Sequence, residues 1–189
     1  MKILLLLLAT LLPLSAQTGG KLVAAARTQI GVTVRYDPSY TALEFPNGDV
    51  PSDRGVCTDV VIRAMRGGLA RDLQQLVNQD MRANFSAYPK NWSLSKPDRN
   101  IDHRRVPNLQ TWFKRKGYQL TLTKDKNPSK FLPGDIITCL VPPRLPHIMI
   151  VSDKKSASGV PWIIHNIGSG TREENQLFQF EITGHYRIN

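Results

Sequence analysis

Residues 133–152 read PGDIITCLVPPRLPHIMIVS and predict two neighbouring strands of a sheet. Pro133 and Gly134 make a turn before the first apolar run, and Pro146 precedes the second. Strand patterns also cover residues 118–123, 161–167, 176–182 and 185–188. The predicted strands therefore all lie in the second half of the chain.

The first half of the chain predicts amphipathic helices. Apolar residues recur at helical spacing, and glycines follow several of the runs, over residues 21–30, 57–66, 71–83 and 107–116. Because helices precede strands and do not alternate with them, we predict an α+β fold with N-terminal helices packed on an antiparallel sheet. No glycine-rich phosphate loop follows a strand, which argues against a doubly wound nucleotide fold.

The composition is typical of one globular domain. The chain has 189 residues, of which 41% are hydrophobic and 21% are charged, and this balance excludes a disordered or collagen-like chain. Lys and Arg number 25 against 15 Asp and Glu, a formal net charge of +10. Two cysteines are too few for a disulfide scaffold or a Cys-rich zinc site.

Residues 1–16 read MKILLLLLATLLPLSA and have the layout of a secretory signal peptide. The apolar run is shorter than the roughly 20 residues that a membrane-spanning helix needs. An N-terminal membrane anchor is the alternative. We expect cleavage before Gln17, leaving residues 17–189 as a single domain in the bacterial periplasm with no stable membrane insertion.

Residues 90–116 are strongly basic. They contain eight Lys and Arg against two Asp, a local net charge of +6. Export argues against nucleic acid as the partner and favours cell-wall polymers or lipid headgroups. A solvated surface that keeps the protein soluble is the alternative. The oligomeric state is not determined by the sequence.

Cys57 follows a glycine-containing loop and begins a predicted helix. The backbone N–H groups and partial positive charge of a helix N-terminus favour the nucleophilic thiolate. The N–H of Cys57 could also donate to the oxyanion that forms when a thiolate attacks a carbonyl. A structural disulfide with Cys139 is the alternative.

Two histidines on adjacent predicted strands are candidates for acid–base chemistry. His147 begins one strand, where it would pair with Cys57, and His165 lies within the next, where it could hold the imidazole of His147 in the useful tautomer. Asn166 competes for that orienting role, but strand alternation sends it to the opposite face. Satisfied structural histidines are the alternative. No histidine pair has metal-ligand spacing, so we expect no metal and no cofactor.

These motifs resemble, in order and spacing, the NlpC-type papain-like cysteine peptidases of bacterial cell walls. The resemblance lies in Gly31, Tyr36, Cys57 before a helix, Pro133-Gly134-Asp135 opening a strand, His147 opening the next, and Ile164-His165. Nearly all of residues 17–189 resembles more closely a family of exported bacterial proteins of unassigned function related to that superfamily, through the runs at 53–59, 100–109 and 165–168. The resemblance implies a papain-like fold with Cys57 as nucleophile, His147 as base and His165 as third member. It also implies that Tyr36 lines the substrate cleft.

The chain also departs from the NlpC pattern. Val56 stands where those enzymes usually carry an Asp that is implicated in gripping a free amino terminus, and Thr58-Asp59 follow the cysteine in place of Ser-Gly. Asp59 would oppose thiolate formation, and we predict that it binds an amino group of the substrate. Residues 70–116 form an insertion that we expect to build one wall of the cleft.

The sequence therefore predicts an exported cysteine hydrolase that cleaves an amide bond, in peptidoglycan stem peptides, through a Cys-His acyl-enzyme. The alternative is a non-catalytic cell-wall or lipid-binding module on a papain-like scaffold. Acyl transfer or deamidation on the same three residues is a further possibility.

Overall fold

A computed structural model describes residues 14–122 and 125–189. Four helices lie in the described part, α1 (Leu14–Arg27), α2 (Cys57–Leu69), α3 (Leu73–Ala83) and α4 (Val106–Arg115). The strands are β1 (Arg35–Tyr36), β2 (Arg54–Gly55), β3 (Ile136–Val141), β4 (Leu145–Lys155), β5 (Pro161–Asn166), β6 (Thr171–Glu174) and β7 (Glu181–Tyr186). The α+β prediction, with helices before an antiparallel sheet, is confirmed.

The main sheet has the order β6-β5-β4-β3-β7, and every pair in it is antiparallel. Alternate residues of each strand face opposite sides. One face packs on the helices through side chains that include Ile136, Ile148, Ile150 and Ile164. The other face carries Ile137, Cys139, Met149, Val151 and Ile163, and Phe131 and Leu177 from loops cover it.

Glycines let α1 approach its neighbours closely. A Cβ on Gly19 would lie 2.1 Å from the carbonyl oxygen of Pro133, and a Cβ on Gly68 would lie 2.6 Å from that of Lys21. The predicted helix over residues 57–66 is therefore too short, because Gly67 and Gly68 belong to α2 and do not end it. The helix continues to Leu69 and ends at Ala70, which has a left-handed φ of 53°.

Three strand predictions in the C-terminal half also differ from the structure. Among the described residues of 118–123, pairing is limited to a bridge between Gln119 and Tyr186. In place of strands at 176–182 and 185–188, the chain forms β6 and β7, and Leu177 is a buried loop residue. Leu177 is apolar because it covers the second face of the sheet, so its hydrophobicity does not mark a strand.

Residues 70–116 fold as α3 and α4 joined by loops and two short 3-10 turns. The carboxylate of Asp80 on α3 joins these parts. It accepts hydrogen bonds from the Tyr88 hydroxyl at 2.7 Å, Arg115 Nε at 2.6 Å and Lys116 Nζ at 3.0 Å. This buried carboxylate therefore holds α3, the following loop and the end of α4 to one another.

The predicted signal peptide lies mostly outside the described residues, which begin at Leu14. The backbone of residues 14–16 belongs to α1, which continues past the predicted cleavage point. None of the helices within 14–122 and 125–189 combines the length and the apolar character that a bilayer crossing requires.

Candidate active site

An open cleft of about 380 Å³ lies at the N-terminus of α2. Its walls come from the loop after β1, the start of α2, the segment before and at the start of α4, and the residue that precedes His147. The lining residues are Tyr36, Pro38, Val56, Cys57, Asn91, Trp92, Ile101, Arg104, Arg105, Val106, Pro107 and Pro146. The segment 70–116 therefore forms a wall of this cleft, as predicted.

Cys57 is the first residue of α2 and is buried, with 4% of its surface exposed. Burial raises the pKa of the thiol to about 11, and the charge of Asp59 adds to this effect. The backbone N–H groups of Ile148, Thr58 and Cys57 act in the opposite direction, as expected at a helix start, but burial outweighs them. The helix start favours the thiolate, as expected, but the pKa stays well above 7, so the thiol is protonated at neutral pH.

Cys57 and Cys139 are both free thiols. Cys57 belongs to the core between the helices and the sheet, whereas Cys139 lies on the other face of the sheet. A bond between them would have to cross the sheet. No disulfide joins the two thiols in the structure, which gives the disulfide alternative no support.

Asp59 is a structural residue in this fold. Its carboxylate accepts two parallel hydrogen bonds from Arg104, Nε to Oδ1 and Nη2 to Oδ2, each 2.9 Å long. It also accepts the backbone N–H of Val56 at 2.7 Å and so caps α2. Both side chains of the ion pair are almost fully buried. The predicted role of Asp59 as a ligand for a substrate amino group is therefore corrected, because both its oxygens are engaged.

Tyr36 lies in the cleft beside Cys57, as the resemblance implied. The pKa of its phenol is raised to about 12, mainly by burial and also by the nearby Cys57 sulfur. The phenol is therefore neutral beside the sulfur. Arg104 helps to hold this loop by donating to the carbonyl oxygens of Asp37 and Ser39.

The structure joins His147, His165 and Glu174 in one hydrogen-bonded series. His147 Nε2 lies 2.9 Å from His165 Nδ1, and His165 Nε2 lies 3.0 Å from Glu174 Oε2. A carboxylate only accepts, so His165 carries its hydrogen on Nε2 and presents Nδ1 as an acceptor. His147 then donates from Nε2, which leaves its Nδ1 unprotonated. This is the tautomer that a general base needs.

Both imidazoles are neutral at neutral pH. The pKa of His147 is lowered to about 3, mainly by burial and also by the neighbouring His165. Burial also lowers the pKa of His165, although its bond to Glu174 opposes the shift. A neutral imidazole with a free Nδ1 can accept a proton.

Cys57 lies near the end of β4 that carries His147, since it packs in the same core as Ile148 and lines the cleft together with Pro146. His147 pairs with Cys139 across β3 and β4, so its side chain starts from the face opposite the helices. No hydrogen bond joins Cys57 to either imidazole in the described part of the chain. The structure therefore brings the histidines together and places the thiol beside their strand, but the thiol–imidazole contact is not formed.

Asn166 has a different task. As predicted, it faces away from His165, and its side-chain amide donates to the carbonyl oxygens of Gly55 at 3.0 Å and Arg35 at 3.3 Å. These bonds tie β5 to β1 and β2, which carry Tyr36 and lead into Cys57. Asn166 thus holds the loop that bears the thiol, and His165 orients His147.

The remaining histidines lie elsewhere in the core. His185 Nε2 is 2.7 Å from Asp135, and its ring stacks on Phe131. His103 is buried in the turn before α4. Within residues 14–122 and 125–189, no group of three or more His, Cys, Asp or Glu is arranged to hold a metal ion.

Glu174 is the site residue that sequence reasoning missed. It lies on β6, which the pattern did not predict, because residues 171–174 alternate no apolar positions. A charged pair after the turn at 168–170 resembles an ordinary solvated loop. Only the pairing of β6 with β5 brings this carboxylate to His165.

Comparison with known sequences supports a family assignment. The family model described as Domain of unknown function (DUF1287) matches residues 23–188. The chain is also 50% identical over 178 residues to the uncharacterized protein YijF of Escherichia coli (strain K12), covering 94% of this chain and 85% of that protein. The family match spans the end of α1, all of α2 to α4, the main sheet and every residue of the cleft. The chain belongs to the DUF1287 family.

Proposed function

We propose that this protein is an exported papain-like cysteine hydrolase that cleaves an amide bond in the peptide part of peptidoglycan. The observation that carries the proposal is the series Glu174–His165–His147, which leaves Nδ1 of His147 unprotonated on the strand next to Cys57. The two imidazoles are buried, and burial of polar rings is costly unless they are hydrogen-bonded, so a base role gives a reason for placing them there.

In the first step, substrate seated in the cleft brings the thiol and Nδ1 of His147 together. The proton moves from sulfur to Nδ1 as the sulfur attacks the carbonyl carbon, and the carbonyl electron pair moves onto oxygen. Backbone N–H groups at the start of α2 stabilise that oxyanion. The tetrahedral species then collapses, the C–N bond breaks, and Nδ1 gives its proton to the departing amine.

In the second step, the thioester is hydrolysed. Nδ1 of His147 takes a proton from water as the water oxygen attacks the acyl carbon. The C–S bond breaks, and the proton returns to sulfur to restore the neutral pair. His165 and Glu174 hold the ring of His147 and stabilise its positive charge in both steps, so they act as positioning residues.

The charge distribution supports an anionic wall substrate. Of the eight basic residues in 90–116, four pair with carboxylates, namely Arg104, Arg105, Arg115 and Lys116. The other four are exposed, namely Lys90, Lys96, Arg99 and Lys114. Exposed cations next to the cleft wall favour the approach of a polyanion such as the cell wall.

The test is digestion of purified muropeptides, with products identified by mass spectrometry. We expect new peptide products from the wild type and from Cys139→Ala, and none from Cys57→Ala. Intact mass should also show an acyl adduct on Cys57 during turnover. Absence of products with folded, reduced wild-type protein and a full set of muropeptides would refute the proposal.

The resting geometry favours a second candidate, a non-catalytic wall- or lipid-binding module. Its support is that thiol and imidazole are both neutral and share no hydrogen bond in the described residues. If the protein is such a module, the wild type and Cys57→Ala should bind muropeptides with equal affinity, and neither should release new products. A hydrolase would instead release products and bind intact substrate measurably only as the alanine variant.

A further inference from the structure

We infer that Arg105 binds a free carboxylate of the substrate, so that the cleft selects peptides that carry this group near the amide bond. This inference rests on the proposed function for the reaction, but the recognition itself is a binding property of the cleft.

The charged residues that line the cleft are all cationic. They are Arg104 and Arg105, and no Asp or Glu belongs to the lining. The guanidinium of Arg104 is engaged by Asp59 and by two loop carbonyls. Arg105 is therefore the cation that a ligand in this cleft can use.

Arg105 is held in place by two contacts that leave part of its guanidinium available. Its Nη1 donates to Asp102 Oδ1 at 3.1 Å, and its plane lies over the Trp92 ring at 4.1 Å. Within the described residues, its Nε and Nη2 groups make no hydrogen bond, and 17% of the side chain is exposed. A guanidinium fixed in this way loses little side-chain entropy when it binds a planar, bidentate acceptor.

The surroundings favour a singly charged carboxylate over other groups. The Nε and Nη2 edge that Asp102 leaves open presents two parallel N–H donors, which match the two oxygens of one carboxylate. A free amino group finds no partner here, because Val56 is apolar and the carboxylate of Asp59 is fully engaged. The cleft is therefore built for an acidic peptide and not for an amino terminus.

The experiment compares two stem peptides that differ only in having free or amidated carboxylates. With wild type, we expect kcat/KM for the free acid to exceed that for the amidated peptide by roughly tenfold. Arg105→Gln should remove that preference by slowing cleavage of the free acid alone. Arg105→Lys should keep a smaller preference for the free acid, since lysine retains the positive charge but lacks the paired N–H donors of a guanidinium. Lys114→Gln is the matched control, with the same charge change at an exposed position outside the cleft lining.

Binding of both peptides to Cys57→Ala, measured by calorimetry, separates this inference from the proposed reaction. Tighter binding of the free acid that disappears in Cys57→Ala/Arg105→Gln supports carboxylate recognition even where the wild type cleaves neither peptide. Equal binding of the two peptides to Cys57→Ala overturns the inference even where the wild type cleaves both.

Discussion

Nε2 of His147 lies 2.9 Å from Nδ1 of His165, and the carboxylate of Glu174 decides which of these nitrogens carries the hydrogen. Each hydrogen bond in the series is donated toward Glu174, because a carboxylate accepts hydrogen bonds and does not donate them. The same direction leaves Nδ1 of His147 free to take a proton from Cys57.

Glu174→Gln should slow the proposed hydrolysis by roughly ten- to hundredfold, with little change in KM. A glutamine amide can donate to Nε2 of His165 and so reverse both tautomers. The ¹⁵N shifts of the His147 ring report the reversal, which a purely structural effect would not produce. Glu173→Gln is the control, because Glu173 pairs with Arg27 and lies on the opposite side of β6. Unchanged ¹⁵N shifts in Glu174→Gln would contradict the assigned direction.

The buried thiol should react slowly at neutral pH. Because the pKa of Cys57 is raised to about 11, the thiolate fraction and the alkylation rate should rise about tenfold per pH unit from pH 7 to 10. Iodoacetamide labelling of Cys139→Ala, which retains Cys57 alone, measures this rate by mass. Fast labelling that does not change between pH 5 and 8 would indicate a thiolate–imidazolium pair instead.

Asp59→Asn should destabilise the domain by about 3 kcal/mol, because it leaves the buried Arg104 without its counter-charge. Denaturant unfolding measures the free energy. Asp53→Asn removes a carboxylate from an exposed pair with Arg35 and should change stability little. If Asp59→Asn were as stable as wild type and lost only substrate affinity, the original substrate-binding assignment would be restored.

Stability should fall in acid through Asp80. Burial raises the pKa of this carboxyl, but hydrogen bonds from Arg115, Tyr88 and Lys116 outweigh burial and lower the pKa to about 2. The unfolded chain binds the proton first, so this stabilisation is present above pH 4 and is lost between about pH 4 and pH 2. Asp80→Asn should have a lower melting temperature than the wild type at pH 7. Its melting temperature should also fall less steeply between pH 4 and pH 2. An unchanged decline would mean that other groups govern it.

Gly19→Ala should lower the melting temperature, whereas Gly20→Ala should leave it unchanged or raise it slightly. A Cβ at Gly19 meets the Pro133 carbonyl oxygen at 2.1 Å, and a Cβ at Gly20 meets nothing within 4 Å. We expect Gly19→Ala to lower the free energy of unfolding by roughly 1–3 kcal/mol, because the new Cβ forces α1 away from the turn at Pro133. Equal melting temperatures for the two variants would show that α1 does not pack there.

Local patterns predicted much of this architecture. The start of α2 at Cys57, the turn at Pro133-Gly134 and the strands that carry His147 and His165 follow from apolar spacing and from glycine and proline placement. The alternation that separates His165 from Asn166 also follows from strand geometry alone. These features depend on neighbours in sequence, which is why a single chain reveals them.

The remaining features depend on partners that are distant in sequence. Asp59 looked available to substrate until Arg104, 45 residues away, was found to engage it. Burial of Cys57 reversed the pKa shift expected from a helix start, because desolvation depends on the whole surrounding core. Gly68 continues α2 where a local reading ends it, because α1 packs against it.

The amino-acid sequence by itself determined that helices precede the sheet, that the thiol lies at a helix start and that two neighbouring strands carry histidines. Each of these features follows from the local spacing of apolar, glycine and proline residues. Only the tertiary structure decided that Glu174 orients those histidines, that Asp59 belongs to the scaffold and that Arg105 faces the cleft. The physical reason is that hydrogen bonds and desolvation act between groups that the fold brings together, and no local pattern specifies those pairs.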